Sequence, residues 1–237
     1  MSAFRLNPSE LALLQANPWF RACTAALQQQ LCEAGRRVHL AAGQTLFARG
    51  AQPEGLCFVL AGALRVGSLG RDGSERPLTY LEPGQWFGEI SLLDDLPRTH
   101  DAVADGPASV WLLPQRELQD WLNTHPACWR DLARLACAKL RASFEVLEDI
   151  AHLPLEQRLA KRLALVARGF DSAAMQLPKS RLRLPQEQLA LMLGVSRQTV
   201  NKALKSLAER GLLALHYAEI ELLDLAGLDA LAAEGRP

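Results

Sequence analysis

The stretch Gln186–Leu207, QEQLALMLGVSRQTVNKALKSL, decides how the C-terminal part of the chain is read. With Gly194 taken as a tight turn, small Ala190 stands four residues before it, and Leu189, Leu193, Val195 and Val200 fall on inward positions. Glycine lets the backbone reverse, alanine lets two helices approach, and the apolar set fixes their crossing. This is the pattern of a helix-turn-helix. Ser196 is placed to cap the second helix, its oxygen accepting from backbone N–H groups two or three residues on. The outward positions early in that helix are then Arg197, Gln198, Asn201 and Lys202. Arginine binds guanine O6 and N7 as a fork, asparagine and glutamine suit adenine, and lysine takes a base or a phosphate. Arg181, Arg183 and Lys205 are candidates to hold phosphates, which positions a protein on a duplex without specifying sequence. An ordinary helical hairpin with a polar face would leave the joint placement of Ala190, Gly194 and the apolar set unexplained.

Charge supports this reading. The 237 residues carry 26 Lys and Arg against 26 Asp and Glu, so the chain is neutral overall. Between Pro154 and Arg210, however, eleven basic residues face four acids, an excess of +7 that the rest of the chain cancels. A basic segment in an otherwise acidic chain attracts a polyanion. After Gly211, the runs Leu212–Leu215 and Ile220–Leu223 bracket His216–Glu219, a short hairpin that would make the helix-turn-helix winged. Its turn holds no Gly, Lys or Arg, so no strong phosphate grip is expected at the wing tip.

Upstream, Pro126 opens a helical pattern that runs to about His152. Within it Trp129, Ala133, Ala136, Leu140, Ser143, Leu147 and Ile150 are spaced alternately by four and three residues. That spacing predicts a coiled-coil seam and hence a partner helix. Leu132, Leu135 and Val146 lie off the seam and are expected to cover the preceding domain. Pro154 breaks the helix, and Leu155, Leu159, Leu163 and Val166 form the next amphipathic stripe. The expected organisation is an N-terminal domain over 1–125, a dimerisation helix and hinge over 126–153, and a winged helix-turn-helix domain over 154–237.

Ten of the 16 glycines fall between Gly43 and Gly106, interleaved with prolines. The short apolar runs between them, Leu56–Ala61, Ala63–Ser68, Leu78–Leu81, Ala102–Ala104 and Ser109–Leu113, predict a small antiparallel barrel or sandwich. Helical patterns at Ser9–Gln15 and Thr24–Ala34 precede it, and Arg116–Asn123 follows. Inside this region Trp86–Ala104 reads WFGEISLLDDLPRTHDAVA. Gly88, Glu89, Arg98 and Thr99 make chemical sense as an anion cradle. Glycine permits close backbone approach, glutamate accepts from sugar hydroxyls, arginine grips a phosphate as a fork and threonine adds a donor. Taken alone, the same residues also fit an exposed loop with a surface salt bridge.

Together these motifs, in this order, resemble the CRP/FNR family of bacterial transcription factors. The resemblance runs over nearly the whole chain, from AAGQTLFARG through the FGE and PRT segments and the long helix to the helix-turn-helix. It implies an α+β fold: an antiparallel β-roll of the cyclic-nucleotide-binding, jelly-roll type, a long dimerisation helix and a C-terminal winged helix-turn-helix. It also implies a homodimer that senses a small effector, such as cyclic AMP or cyclic GMP, and binds palindromic double-stranded DNA, with RNA polymerase as a further partner. Carried over by position, Glu89 looks like the ribose hydroxyl acceptor and Arg98 with Thr99 like the phosphate clamp. Gly88 and Ile90 would supply backbone N–H groups, and Ser143 a hydroxyl near the purine. Phe144 and His100 depart from the family pattern, and the Glu89–Arg98 loop looks one residue short. These departures leave the ligand's identity open.

Other chemistries find less support. Five Cys in no paired spacing suit a reducing compartment and argue against a disulfide framework. Cys23 and Cys32, like Cys128 and Cys137, are nine apart, which is unlike an iron–sulfur ligand set. The five His show no metal-ligand spacing. No nucleophile, base and orienting residue form a recognisable motif, so no enzyme is expected. The absence of a long apolar run or leader-like start makes a cytoplasmic protein, away from membranes, the expectation. Two rivals stay open: a cyclic-nucleotide module acting on a protein partner, and a same-fold regulator with a redox, haem or no effector.

Overall fold

The computed structural model describes residues 5–69, 75–168, 180–182, 184–217 and 219–234. The connection at 169–179, and Arg183 among the expected phosphate contacts, lie outside the described residues. The chain divides into two compact units that meet between Arg141 and Ala142.

The N-terminal unit begins with three helices, α1 (Pro8–Ala16), α2 (Pro18–Ala22) and α3 (Ala25–Glu33). Each starts where a side-chain oxygen, of Asn7, Asn17 or Thr24, accepts a backbone N–H of its first turn. Two four-stranded sheets follow. One has the order β1 (Arg36–Leu40), β8 (Ala108–Pro114), β3 (Gly55–Ala61), β6 (Trp86–Phe87). The other has the order β2 (Thr45–Phe47), β7 (Asp101–Ala104), β4 (Leu64–Leu69), β5 (Glu75–Leu81). Every strand pair is antiparallel.

The unbroken apolar run of β3 has a direct cause. Successive side chains point to opposite faces, and here both faces are covered. Cys57 and Val59 pack with Leu64, Leu81, Phe87, Ala104, Val110 and Leu112 in one core. Leu56, Phe58 and Leu60 face a second core that includes Leu14, Leu27 and Leu31 of the N-terminal helices. Leu118 and Leu122 of α5 (Gln115–Thr124) join the second core, as do Leu132 and Leu135 of α6 (Trp129–His152). The expected helix from Pro126 thus begins with a short 3-10 turn, Pro126–Cys128, before α6. Strands β1, β2 and β6 and helices α2 and α4 (Glu89–Asp94) were not anticipated from the sequence.

In the C-terminal unit, the end of α6 turns into α7 (Leu155–Arg168), and buried Asp149 pairs with Lys161 at 2.6 Å across the corner. A three-stranded sheet of order β10 (Leu213–His216), β11 (Glu219–Leu222), β9 (Arg181–Leu182) lies beside α8 (Gln186–Leu193), α9 (Arg197–Glu209) and α10 (Leu225–Ala233). One core unites them. It holds Leu159 and Leu163 of the expected stripe, Leu189, Leu193, Val200, Leu204 and Leu207 of the two central helices, and Leu228 and Leu231.

Candidate nucleic-acid interface and effector site

Helices α8 and α9 meet as the sequence pattern requires. Gly194 sits at φ +68° and ψ 32°, and a Cβ there would meet nothing within 4 Å. Backbone conformation, and not space, is therefore what calls for glycine. Ala190 is buried and its carbonyl accepts from Val195 N–H at 3.0 Å, closing the turn. Ser196 Oγ accepts from Thr199 N–H at 3.1 Å, which is the expected cap.

Beyond this cap Arg197, Gln198, Lys202 and Lys205 are exposed. Asn201 differs. It is half-buried, and its Nδ2 donates to Oε1 of Gln186 at 2.9 Å. Arg181 also stands apart from the group in which the sequence placed it. It belongs to β9, with Nη2 3.2 Å from Glu221 Oε1 and Nη1 4.0 Å from Glu219 Oε2. His216 Nε2 lies 2.8 Å from the other oxygen of Glu221. Hydrogen bonds from His216 and then Arg181 hold the Glu221 carboxyl below its ordinary range. The alternation of Glu219 and Glu221 along β11 puts acidic side chains beside Arg181, a contrast with the positive face of α9.

In the N-terminal unit, Gly88 (φ +89°) turns the chain from β6 into α4. A Cβ on it would lie 2.7 Å from Arg98 Nη1 and 2.9 Å from Gly55 O, so the close approach also demands glycine. Arg98 is 3% exposed. Its Nη2 donates to Gly55 O at 2.6 Å and its Nη1 to Gly88 O at 3.1 Å, while the guanidinium lies 4.3 Å from the centre of the Phe47 ring. Its buried Nε has no hydrogen-bond partner among the described residues. Nor does any carboxylate among them come within ion-pair distance of it. Burial pushes its pKa down, partly offset by the fields of Cys57, Glu54 and Glu89.

Glu89 is 2% exposed, and it is not a solitary acceptor. Lys139 of α6 places its Nζ 2.7 Å from Glu89 Oε2 and donates as well to Trp86 O at 2.7 Å. Sequence reasoning missed Lys139. Its one visible signal is a cation between Ala136 and Leu140 on a helix read for its apolar spacing. Thr99 is exposed, with Oγ1 2.9 Å from His100 Nδ1, and Ile90 is exposed in the first turn of α4. Burial, followed by the Arg49 charge, pushes the His100 pKa down.

The expected seam on α6 is uneven. Trp129 packs partly against the N-terminal core, and Ala136 is half-buried. Ala133, Leu140, Ser143, Leu147 and Ile150 are exposed, and so is Phe144. Leu140, Phe144, Leu147 and Ile150 are each more than half exposed, an unusual run of large apolar side chains for a surface.

Residues 37–125 match the model of the cyclic nucleotide-binding domain, and residues 157–231 that of the Crp-like helix-turn-helix domain. The chain is 31% identical over 200 residues to a CRP-like cAMP-activated global transcriptional regulator of Mycobacterium tuberculosis, covering 84% of this chain and 88% of that protein. It is 30% identical over 190 residues to a cyclic AMP receptor protein of Thermus thermophilus, covering 80% and 85% respectively. Among solved structures, a CRP/FNR-family transcriptional regulator, also from Thermus thermophilus, superposes with a TM-score of 0.64 at 26% identity, over 84% of this chain and 99% of that one.

Proposed function

The chain belongs to the CRP/FNR family of DNA-binding transcriptional regulators, and from this premise we propose that it is a homodimer whose β-roll senses a cyclic nucleotide. The observation that carries the effector reading is Arg98. A buried cation with no counter-ion is expensive, and an anion brought against it relieves that cost. Its Nε, unpartnered among the described residues, the tight turn at Gly88 and the nearby Thr99 suit a phosphate, and buried Glu89 suits a sugar hydroxyl. The relatives named for cyclic AMP support the same choice. When bound, the nucleotide would supply a negative charge and hydroxyl donors. The chain's own residues orient it: Arg98 is fixed by two carbonyls and a ring, and Glu89 by Lys139.

The exposed stripe from Leu140 to Ile150 gives α6 a face for a second copy, with Trp129, Ala133, Ala136 and Ser143 on the same seam. Each subunit then offers Arg197, Gln198, Asn201 and Lys202 to one half of a palindrome, half-sites lying about one helical turn apart. Ser196 caps the reading helix, Lys205 holds phosphate, and RNA polymerase is the further partner.

Calorimetric titration of the full-length protein with cyclic AMP and cyclic GMP tests the effector reading. Binding by wild type and its loss in Arg98→Met, which keeps contact with Phe47 but not the charge, is the expected result. Equal binding by both proteins would show that the phosphate is held elsewhere. Absence of binding by wild type would overturn the nucleotide and leave the DNA interface standing.

A further inference from the structure

We propose that Gln186, on the first helix of the helix-turn-helix, is a positioning residue for base reading, acting through Asn201. The inference rests on the reading of α9 as the helix that enters the major groove. Asn201 is the one member of the outward set that is half-buried and tied down, its Nδ2 giving a hydrogen to Gln186 Oε1 at 2.9 Å. The side chains of Arg197, Gln198 and Lys202 make no hydrogen bond or ion pair with the described residues. Gln186 is itself well placed to hold still, because it is the first residue of α8, directly after Pro185 at φ −56°. Proline fixes that entry, and the packing of Leu189 and Ala190 against Val200 and Leu204 fixes the crossing of the two helices.

The chemistry of the pair is selective. A primary amide nitrogen carries two hydrogens. When Gln186 takes the hydrogen that points away from Oδ1, the other stays beside Oδ1, and together they form the donor–acceptor edge that adenine N7 and N6 require. An amide free to turn about its last torsion presents either edge and must be ordered on binding. One held by Gln186 is ordered beforehand. Gln186 therefore contributes to discrimination at a base it does not touch.

The test is selection from a random palindrome library, with and without cyclic AMP, using full-length wild type, Asn201→Ala, Gln186→Leu and Gln186→Glu. Gln186→Leu removes the acceptor at similar size, whereas Gln186→Glu keeps an acceptor at the same place. Asn201→Ala and Gln186→Leu are expected to relax the same single position in each half-site, by roughly tenfold in preference for adenine, with the Arg197-read guanine unchanged. Combining them should relax that position no further. Gln186→Glu should retain the preference while binding all sequences more weakly, since it adds a negative charge near phosphates. If Gln186→Leu weakens every sequence alike and leaves the Asn201 position selective, Gln186 is merely structural and the proposal is overturned. Wild type selecting no sequence would overturn the groove reading itself, and with it this inference.

Discussion

Lys139 reaches from the long helix to within 2.7 Å of Glu89, a carboxylate that is only 2% exposed. The pair links α6 to the turn that carries the proposed anion cradle, within one compact unit. Removing the cation leaves a charge buried without a partner, which typically costs about 3–5 kcal/mol when both groups are buried. The Lys139 side chain is 37% exposed, so water reaches its end of the pair and about 1–3 kcal/mol is expected for Lys139→Met. Urea unfolding measures this. The double variant Lys139→Met with Glu89→Gln should recover most of the loss, and an unchanged midpoint for Lys139→Met alone would mean that the pair does not hold the helix.

The exposed stripe on α6 predicts its own disruption. Leu147→Glu, or Phe144→Glu, would set like charges against each other in the proposed dimer interface, from which water is excluded. Sedimentation at micromolar concentration should show monomer, with the circular dichroism of the β-roll retained. A variant that stays dimeric would place the dimer contact elsewhere.

Arg197 and Lys205 should separate readout from grip. Arg197→Ala is expected to cost roughly 1–3 kcal/mol and to relax one guanine in each half-site. Lys205→Ala should weaken all sequences alike and lower the slope of log affinity against log salt by about 1. Gel-shift titration across salt concentrations distinguishes the two, and a loss of base preference in Lys205→Ala would reverse the assignment.

Alkali should destabilise the protein through its buried thiols. Desolvation pushes the Cys57 thiol up from 9.0 to about 12, and Cys23 likewise. The unfolded chain therefore loses these protons first, binding fewer than the native state as pH rises past 9. Stability is unaffected below that point and falls between about 9 and 12. Cys57→Ala should flatten part of this decline in thermal melts across the range. An identical slope in the variant would assign the effect to other groups.

What the sequence revealed follows the range of the interactions involved. The helix-turn-helix was legible because its evidence is local: a left-handed Gly194, a capping Ser196 and apolar positions one or two turns apart. The strands Leu56–Ala61 and Ser109–Leu113 stood out as apolar runs because both faces of β3, and most of β8, are buried. Strand β1 did not, since RRVHL lies at a sheet edge where charged side chains reach solvent. Helix α2 and strands β6 and β9 are too short to show any period. Lys139 with Glu89 and Gln186 with Asn201 are partners 50 and 15 residues apart, and only folding brings such pairs together. The seam, read from spacing alone, included Trp129, whose ring the N-terminal core partly claims, and left out Phe144, which is exposed beside it.

The division of the chain between Arg141 and Ala142 has an optical consequence. All five tryptophans, Trp19, Trp86, Trp111, Trp121 and Trp129, precede it, and the C-terminal unit has none. Indole emission excited near the red edge of the absorption band thus comes from the N-terminal unit alone. The unit that holds the helix-turn-helix is dark in that channel. A single tryptophan placed in α10 or α7, with the five native ones replaced by phenylalanine, would make it visible, so that ligand arrival and duplex engagement could be followed in two separate proteins.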